Sequence, residues 1–426
     1  MKRKLSVQIR NEWRSNLWLA AEFLIVSVVM WYVLVTVFST LWVRTGTPGY
    51  DISNVWLVGY DVMNSEGSDY DESRGDDESL SDDMAAMLLR LREAPGVKSL
   101  ALSYYAVPYN YNFNGSNYSL IRKDGSEEVF NGFFARKMIS PSYITVMSIP
   151  GANGETPEEL TEFLKDGRGV LVSENTFEMQ DVVEYNTPSK IAEDWLFLDN
   201  DSSTLPVKTI VNQQRNDYEP TYFRTIVKAD INEDRPKNPG AGYEITVKID
   251  PSKKKEFVEW INEKTGNYLS VGNVYVNDLI SLDVIRTLNQ KDIVSEVNNR
   301  LTLVMFLLVS IFLGLLGAFW FRTQNRTGEI AIRKVNGATS GQIFRRLMGE
   351  GLLILAAVTP VAWICDWGLI KLDLVVYLFT DSAPLWQYIT CAAITLGLVV
   401  LAVTVGIWFP ARKAMKIDPA GALAHE

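Results

Sequence analysis

Few side chains in this chain of 426 residues could carry chemistry of their own. The single histidine, His425, is one residue from the C-terminus, which puts a histidine-based triad or a histidine-ligated metal out of reach. Cys365 and Cys391 both lie in long apolar runs, so there is no disulfide framework. No G-x-x-x-x-G-K-[ST] string is present, so the chain should not hydrolyse ATP. Glu66–Asp83 holds nine acids and one arginine, but an EF-hand loop starting at Asp69 or Asp71 would need glycine where Arg74 stands. The stretch, like Asp199-Asn200-Asp201, reads as a solvated loop. Asp366 is the one acid inside an apolar run, with Lys371 and Asp373 close behind; the reading is of an acid near the outer membrane interface. The expectation is no catalytic, cofactor-binding or metal site: the chain is not an enzyme.

What remains is organisation. The mean hydropathy is +0.01 and the net charge −10, which resembles a soluble protein. The apolar residues are unevenly spread, however. Four segments reach the roughly 20 apolar residues that a bilayer crossing needs: 17–43, 301–321, 351–370 and 388–409, with Trp18, Trp42, Trp320, Trp386 and Trp408 near their ends. The first run is too long for a signal-peptide core and no small-residue cleavage site follows, so it reads as an uncleaved anchor.

Charge orients these spans. Residues 1–16, 322–350 and 410–426 carry 14 basic and 5 acidic side chains, a balance of +9. Residues 43–299 carry 25 basic and 42 acidic, a balance of −17. The positive-inside rule then places both termini and the 322–350 loop in the cytoplasm and the long polar region outside. The acidic balance argues against nucleic-acid binding.

The polar domain, 44–297, contains two βαβ-like units. In the first, Asn54–Met63 is a strand, Ser81 caps a helix lined by Met84, Leu88 and Leu91, and Val97–Val107 is a strand. In the second, Tyr243–Ile249 is a strand, Asp250 and Pro251 open a helix carrying Phe257, Trp260 and Ile261, and Tyr268–Val276 is a strand. Between them, about 108–240 reads as an inserted β-rich subdomain with one helix at Pro157–Lys165, opened by a Thr156-x-x-Glu159 capping box. The fold class is therefore an α-helical membrane protein with four spans and an α+β extracytoplasmic domain.

Two cytoplasmic pieces stand out. Leu5, Ile9, Trp13 and Leu17, at steps of four with basic residues between, describe an amphipathic helix over 1–16 on the inner leaflet. The loop 322–350 contains Gly328-Glu-Ile-Ala-Ile-Arg-Lys-Val-Asn-Gly-Ala338. Ile330, Ile332 and Val335 supply apolar contacts, Glu329, Arg333 and Lys334 supply charge, and Gly337 breaks the helix. Thr339-x-x-Gln342 then caps a helix that runs through Ile343, Phe344 and Leu347 into the third span.

That string, with Ile343 and Glu350 after it, resembles the signature of FtsX/MacB-type ABC transporter permeases. Pro410-Ala411-Arg412-Lys413-Ala414, with Ile417-Asp418-Pro419 and Ala422-Leu423, resembles the family's ending. The layout is also similar: one span, a large outer domain, then three spans over 298–426. Ala331 stands where the family often has glycine. The resemblance implies an outer domain like the MacB periplasmic core. It also implies an ATPase-coupling element at Glu329, Ile330, Ile332, Arg333, Lys334, Val335, Gly337 and Ala338. ATP and Mg would be bound by a partner ATPase chain, and the permease would pair with a second copy or a paralogue and with a periplasmic partner. The implied function is a multi-pass inner-membrane permease subunit that transmits ATP-driven motion outward for efflux, lipoprotein release or a similar task. The alternative is a membrane-anchored sensor or cell-wall-hydrolase regulator with no transported substrate.

Overall fold

The computed structural model describes residues 13–110, 114–127, 129–176, 193–199, 202–217, 224–372, 374–375 and 385–416. The expected amphipathic helix over residues 1–12 and the ending from Ile417 onward lie outside the described residues. The chain divides into two compact units, Arg44–Asp292 and the combination of Met1–Val43 with Ile293–Glu426.

Among the described residues, four helices are long and apolar enough to cross a membrane, and most of each lies in the second of these units: α1 (Trp13–Thr45), α6 (Leu282–Asn325), α8 (Ser340–Lys371) and α9 (Leu385–Met415). A short helix, α7 (Thr327–Val335), stands between α6 and α8. Leu19 and Phe23 of α1, Ile311, Leu315 and Phe319 of α6, Ile354 and Leu355 of α8, and Val399, Val403 and Ile407 of α9 form one core. Many other apolar side chains on these helices, among them Ile25, Phe306, Ile364 and Leu401, are exposed, as a surface meeting lipid requires. Asp366 is buried with Oδ1 unbonded among the described residues, on a helix beside the core of Trp31, Val35 and Cys391.

Among its described residues the polar unit has eleven strands. β1 (Val55–Val62) pairs antiparallel with both β9 (Glu244–Ile249) and β11 (Val274–Ser281), and β9 pairs antiparallel with β2 (Val97–Tyr104). β1 and β2 are therefore parallel with β9 between them, joined through helix α2 (Asp77–Arg92). In the same way β9 and β11 flank β1, joined through helix α5 (Lys254–Lys264). A two-residue strand, β10 (Ser270–Val271), pairs with β11 at the edge. Met84, Leu88 and Leu91 of α2 and Phe257 and Ile261 of α5 pack against Val58, Leu100, Ile245, Val247 and Val276 of the sheet.

The boundary of α2 differs from expectation. Asp76, not Ser81, is its cap, accepting from the backbone N–H of Glu78 and Ser79 at 3.0 and 2.9 Å. A carboxylate at this position answers orphan N–H groups and the positive end of the helix dipole together. Asp83 is then a full turn inside and completely buried, paired with Arg74, and it accepts from the Asn273 N–H at 3.1 Å. The acidic stretch is thus anchored at its far end rather than wholly solvated.

Between β2 and β9 lie β3 (Gly115–Arg122), β4 (Val129–Ile139), β5 (Val170–Ser173), β6 (Trp195–Leu198), β7 (Thr204–Val211) and β8 (Arg224–Ala229). They pair in the order β4-β3-β6-β7-β5-β8, and β8 pairs back with β4 in parallel. The six strands close into a ring. Every one of them contributes to its apolar filling, which includes Leu120, Phe134, Val172, Phe197, Ile210 and Ile226. Among the described residues, ring and sheet share two strand-paired positions, Ser103 with Ile139 and Tyr104 with Met138. Beneath this junction sit two short helices, α3 (Ser142–Val146) and α4 (Pro157–Leu164), the latter opened by the Thr156–Glu159 capping box.

Candidate functional site

The string 328–338 folds as α7 and the turn that follows it. Ile330 and Ala331 are buried, and Ile330 packs with Ile343 and Leu347 of α8. Full enclosure of Ala331 explains why a small residue stands there. Glu329 accepts from Arg333 Nε at 2.9 Å, four residues on, and lies 3.7 Å from Arg346 of α8. An acid four residues before a base is the favoured helical order.

The backbone N–H groups of the turn, from Asn336 to Thr339, are all hydrogen-bonded. Gly337 has φ +87°, and its N–H donates to Lys334 O at 3.0 Å. Ala338 N–H reaches Arg333 O at 2.9 Å, which completes a Schellman motif. Glycine is favoured because an L side chain at this φ crowds its own residue's carbonyl, although the space around the Cβ position is open. Thr339 then opens α8 with a reciprocal capping box to Gln342. Two consecutive local motifs therefore fix the angle between α7 and α8.

Three further contacts hold the element from outside the string. Arg326, at the junction of α6 and α7, donates to Glu350 Oε2 at 3.1 Å, and both side chains are largely buried. Lys334 Nζ donates to Met415 O at 2.8 Å, and Ser340 Oγ reaches the same carbonyl at 3.3 Å. That carbonyl is one of the orphan acceptors at the C-terminus of α9, where a cation also answers the helix dipole. In the same last turns Ala411 and Ala414 face the core, while the ammonium of Lys413 lies 3.7 Å from the Trp320 ring centroid. The ending Pro410–Ala414 thus packs its small residues inward and turns its cations to aromatic faces.

What is left on the surface is narrow. Ile332 is 51% and Val335 65% exposed, one helical turn apart, with Gly337, Gln342 and Arg345 also exposed nearby. The structure separates the expected residues by task. Ile332 and Val335 face outward, Ile330 faces the core, Glu329 and Arg333 pair with each other, and Gly337 and Ala338 make the turn. Lys334 reaches the end of α9 rather than an open surface. Sequence reasoning counted Glu350 in the resemblance without giving it a partner, and assigned no role to Arg326, Arg346 or Met415. A glutamate between Met348 and Leu352 in an apolar run was the available signal for Glu350.

Comparison with known proteins bears on this same region. Residues 301–419 match the FtsX-like permease C-terminal family. The pyoverdine export ATP-binding/permease protein PvdT of Pseudomonas aeruginosa is 31% identical over 140 residues, covering 31% of this chain. The match spans about a fifth (20%) of that protein's length. Among solved structures, the extracellular domain of the noncanonic ABC-type transporter YknZ from Gram-positive bacteria aligns over 52% of this chain and 100% of its own. That alignment has 12% identity and a TM-score of 0.27. Over residues 301–419 the chain is thus similar to FtsX-like permease C-terminal domains. The whole is a membrane protein that joins this region to a β-rich polar unit.

Proposed function

We propose that this chain is the permease subunit of an ABC-type complex, driven by an ATPase on a separate chain. The observation that carries this reading is the α7–α8 element. Two bulky apolar side chains, Ile332 and Val335, are held in the open beside a turn whose backbone N–H groups are bonded. Exposed apolar side chains on a rigid mount suit docking into another protein. The asymmetry of charge, +9 against −17, supports a cytoplasmic α7 and an extracytoplasmic polar unit. ATP and Mg would sit on the partner, whose nucleotide state would bias the permease through differential contact with α7. The permease acts as a dimer with a second copy or a paralogue, and the motion serves export or release at the outer face of the membrane.

Co-purification tests this. Full-length chain carrying Ile332→Asp or Val335→Asp, both at exposed positions, should lose its ATPase, whereas Leu288→Asp, exposed elsewhere on α6, should retain it. Retention in the two α7 variants overturns the assignment.

A further inference from the structure

The loop after β7, residues 212–217, touches both places where the chain leaves the polar unit. On the incoming side, Arg215 N–H donates to Pro48 O at 3.1 Å and Arg215 Nε donates to Thr47 O at 3.1 Å. Tyr50 OH returns a bond to Arg215 O at 2.8 Å. Gly49 has φ +80°, and a Cβ there would lie 2.2 Å from Gln213 O. The two backbones approach as closely as glycine permits.

On the outgoing side the loop ends in Asp217, a buried carboxylate with 7% exposure. It accepts from Arg286 Nε of α6 at 2.6 Å and from Tyr109 OH at 3.0 Å. With its amide turned to suit, Gln290 of α6 donates to Asp217 Oδ2 at 3.1 Å and accepts from Asp217 N–H at 3.1 Å. Arg286 and Gln290 are one turn apart, so the same face of α6 presents both. Within the loop, Gln214 accepts from Lys137 of β4, which ties it to the ring a second time.

The two routes from α6 into the polar unit differ. β11 runs straight into α6 at Leu282, so the five-stranded sheet follows the helix through the covalent chain. The ring has no such link and, among the described residues, shares two strand-paired positions with the sheet. The apolar core at the junction is non-directional and holds the two parts together without fixing an angle. A carboxylate with converging charged and neutral donors does fix an angle.

We propose that Asp217 is a positioning residue that latches the six-stranded ring to α6, so that displacement of α6 is delivered to the ring as well as to the sheet. This rests on the reading of the chain as an ATP-driven permease.

The test uses the full-length chain in membranes with its ATPase, and hydrogen–deuterium exchange with and without ATP. The wild type should show nucleotide-dependent exchange in β7 and 212–217. Asp217→Asn and Arg286→Gln should raise exchange at 212–217 by about ten- to a hundred-fold, the size expected for a lost charge-assisted bond. Both should abolish the nucleotide response of the ring while the ATPase still co-purifies, and the exchanged pair Asp217→Arg with Arg286→Asp should restore it. Arg286 is partly exposed, so its variant keeps the test valid if Asp217→Asn fails to fold. A ring response that persists in Arg286→Gln overturns the latch. Absence of any nucleotide response in the wild type overturns the reading beneath it instead.

Discussion

The buried pair between Arg326 and Glu350 sets the most demanding test of how α7 is held. The 3.1 Å contact joins a glutamate side chain that is 3% exposed to an arginine that is 16% exposed. Removing one partner of a buried pair leaves the other without its counter-charge, which is worth about 3–5 kcal/mol. Arg326 keeps some access to water, so Glu350→Gln should fall near the lower end, about 3 kcal/mol. Arg326→Gln should cost no more than this, because Arg346 still lies in the field of the Glu350 carboxylate. The double substitution leaves two neutral amides able to bond each other and should be destabilised by about 2–3 kcal/mol, not the sum of the two. The assay is denaturant unfolding of the full chain in detergent, followed by tryptophan fluorescence across the four variants. Additivity within about 0.5 kcal/mol would show that the two side chains do not act as a unit. The geometry of the α6–α7 junction would then need another cause.

Three further outcomes are expected. Gly337→Ala places a side chain at φ +87° with open space around it, so the loss should be only about 1 kcal/mol, and Gly337→Asn should lose less; thermal unfolding separates them. Gly49→Ala adds a clash with the Gln213 backbone to the same kind of φ, so it should lower the melting temperature well beyond Gly266→Ala, whose φ is +87° in open space. Burial of its ammonium pushes Lys137 from an ordinary 10.5 down to about 8. Between those values the unfolded chain binds more protons than the folded one, so stability should rise with pH across that window, and Lys137→Met should remove this rise.

Local signals were legible and distant ones were not. The α7–α8 turn could be read because its glycine, its capping threonine and its glutamine all act within a few residues. The start of α2 was misplaced because Asp76, Asp77, Ser79 and Ser81 are all able caps, and only the backbone geometry chooses among them. Lys334 looked like part of a docking face because nothing in its neighbourhood announces a carbonyl 81 residues away. Closure of the ring depends on β8 returning beside β4, and pairing of that kind leaves no periodic trace in either strand. Asp217 sits in a polar loop whose composition gives no hint that it is buried.

The strand order also imposes a schedule on synthesis. Both neighbours of β1 come late in the chain: Val55 pairs with Lys248, and Trp56 with Ser281. The ring strands all lie between these partners and bond chiefly to one another, so they can close while β1 still waits. The first strand to be made is therefore among the last to be satisfied. Until β9 and β11 arrive it carries two open edges, each a row of unpaired N–H and C=O groups that invites a foreign strand. A chain stopped anywhere between the ring and β9 would hold a finished ring beside a sticky, unclosed sheet, and it is at this stage of its making that the molecule most needs protection.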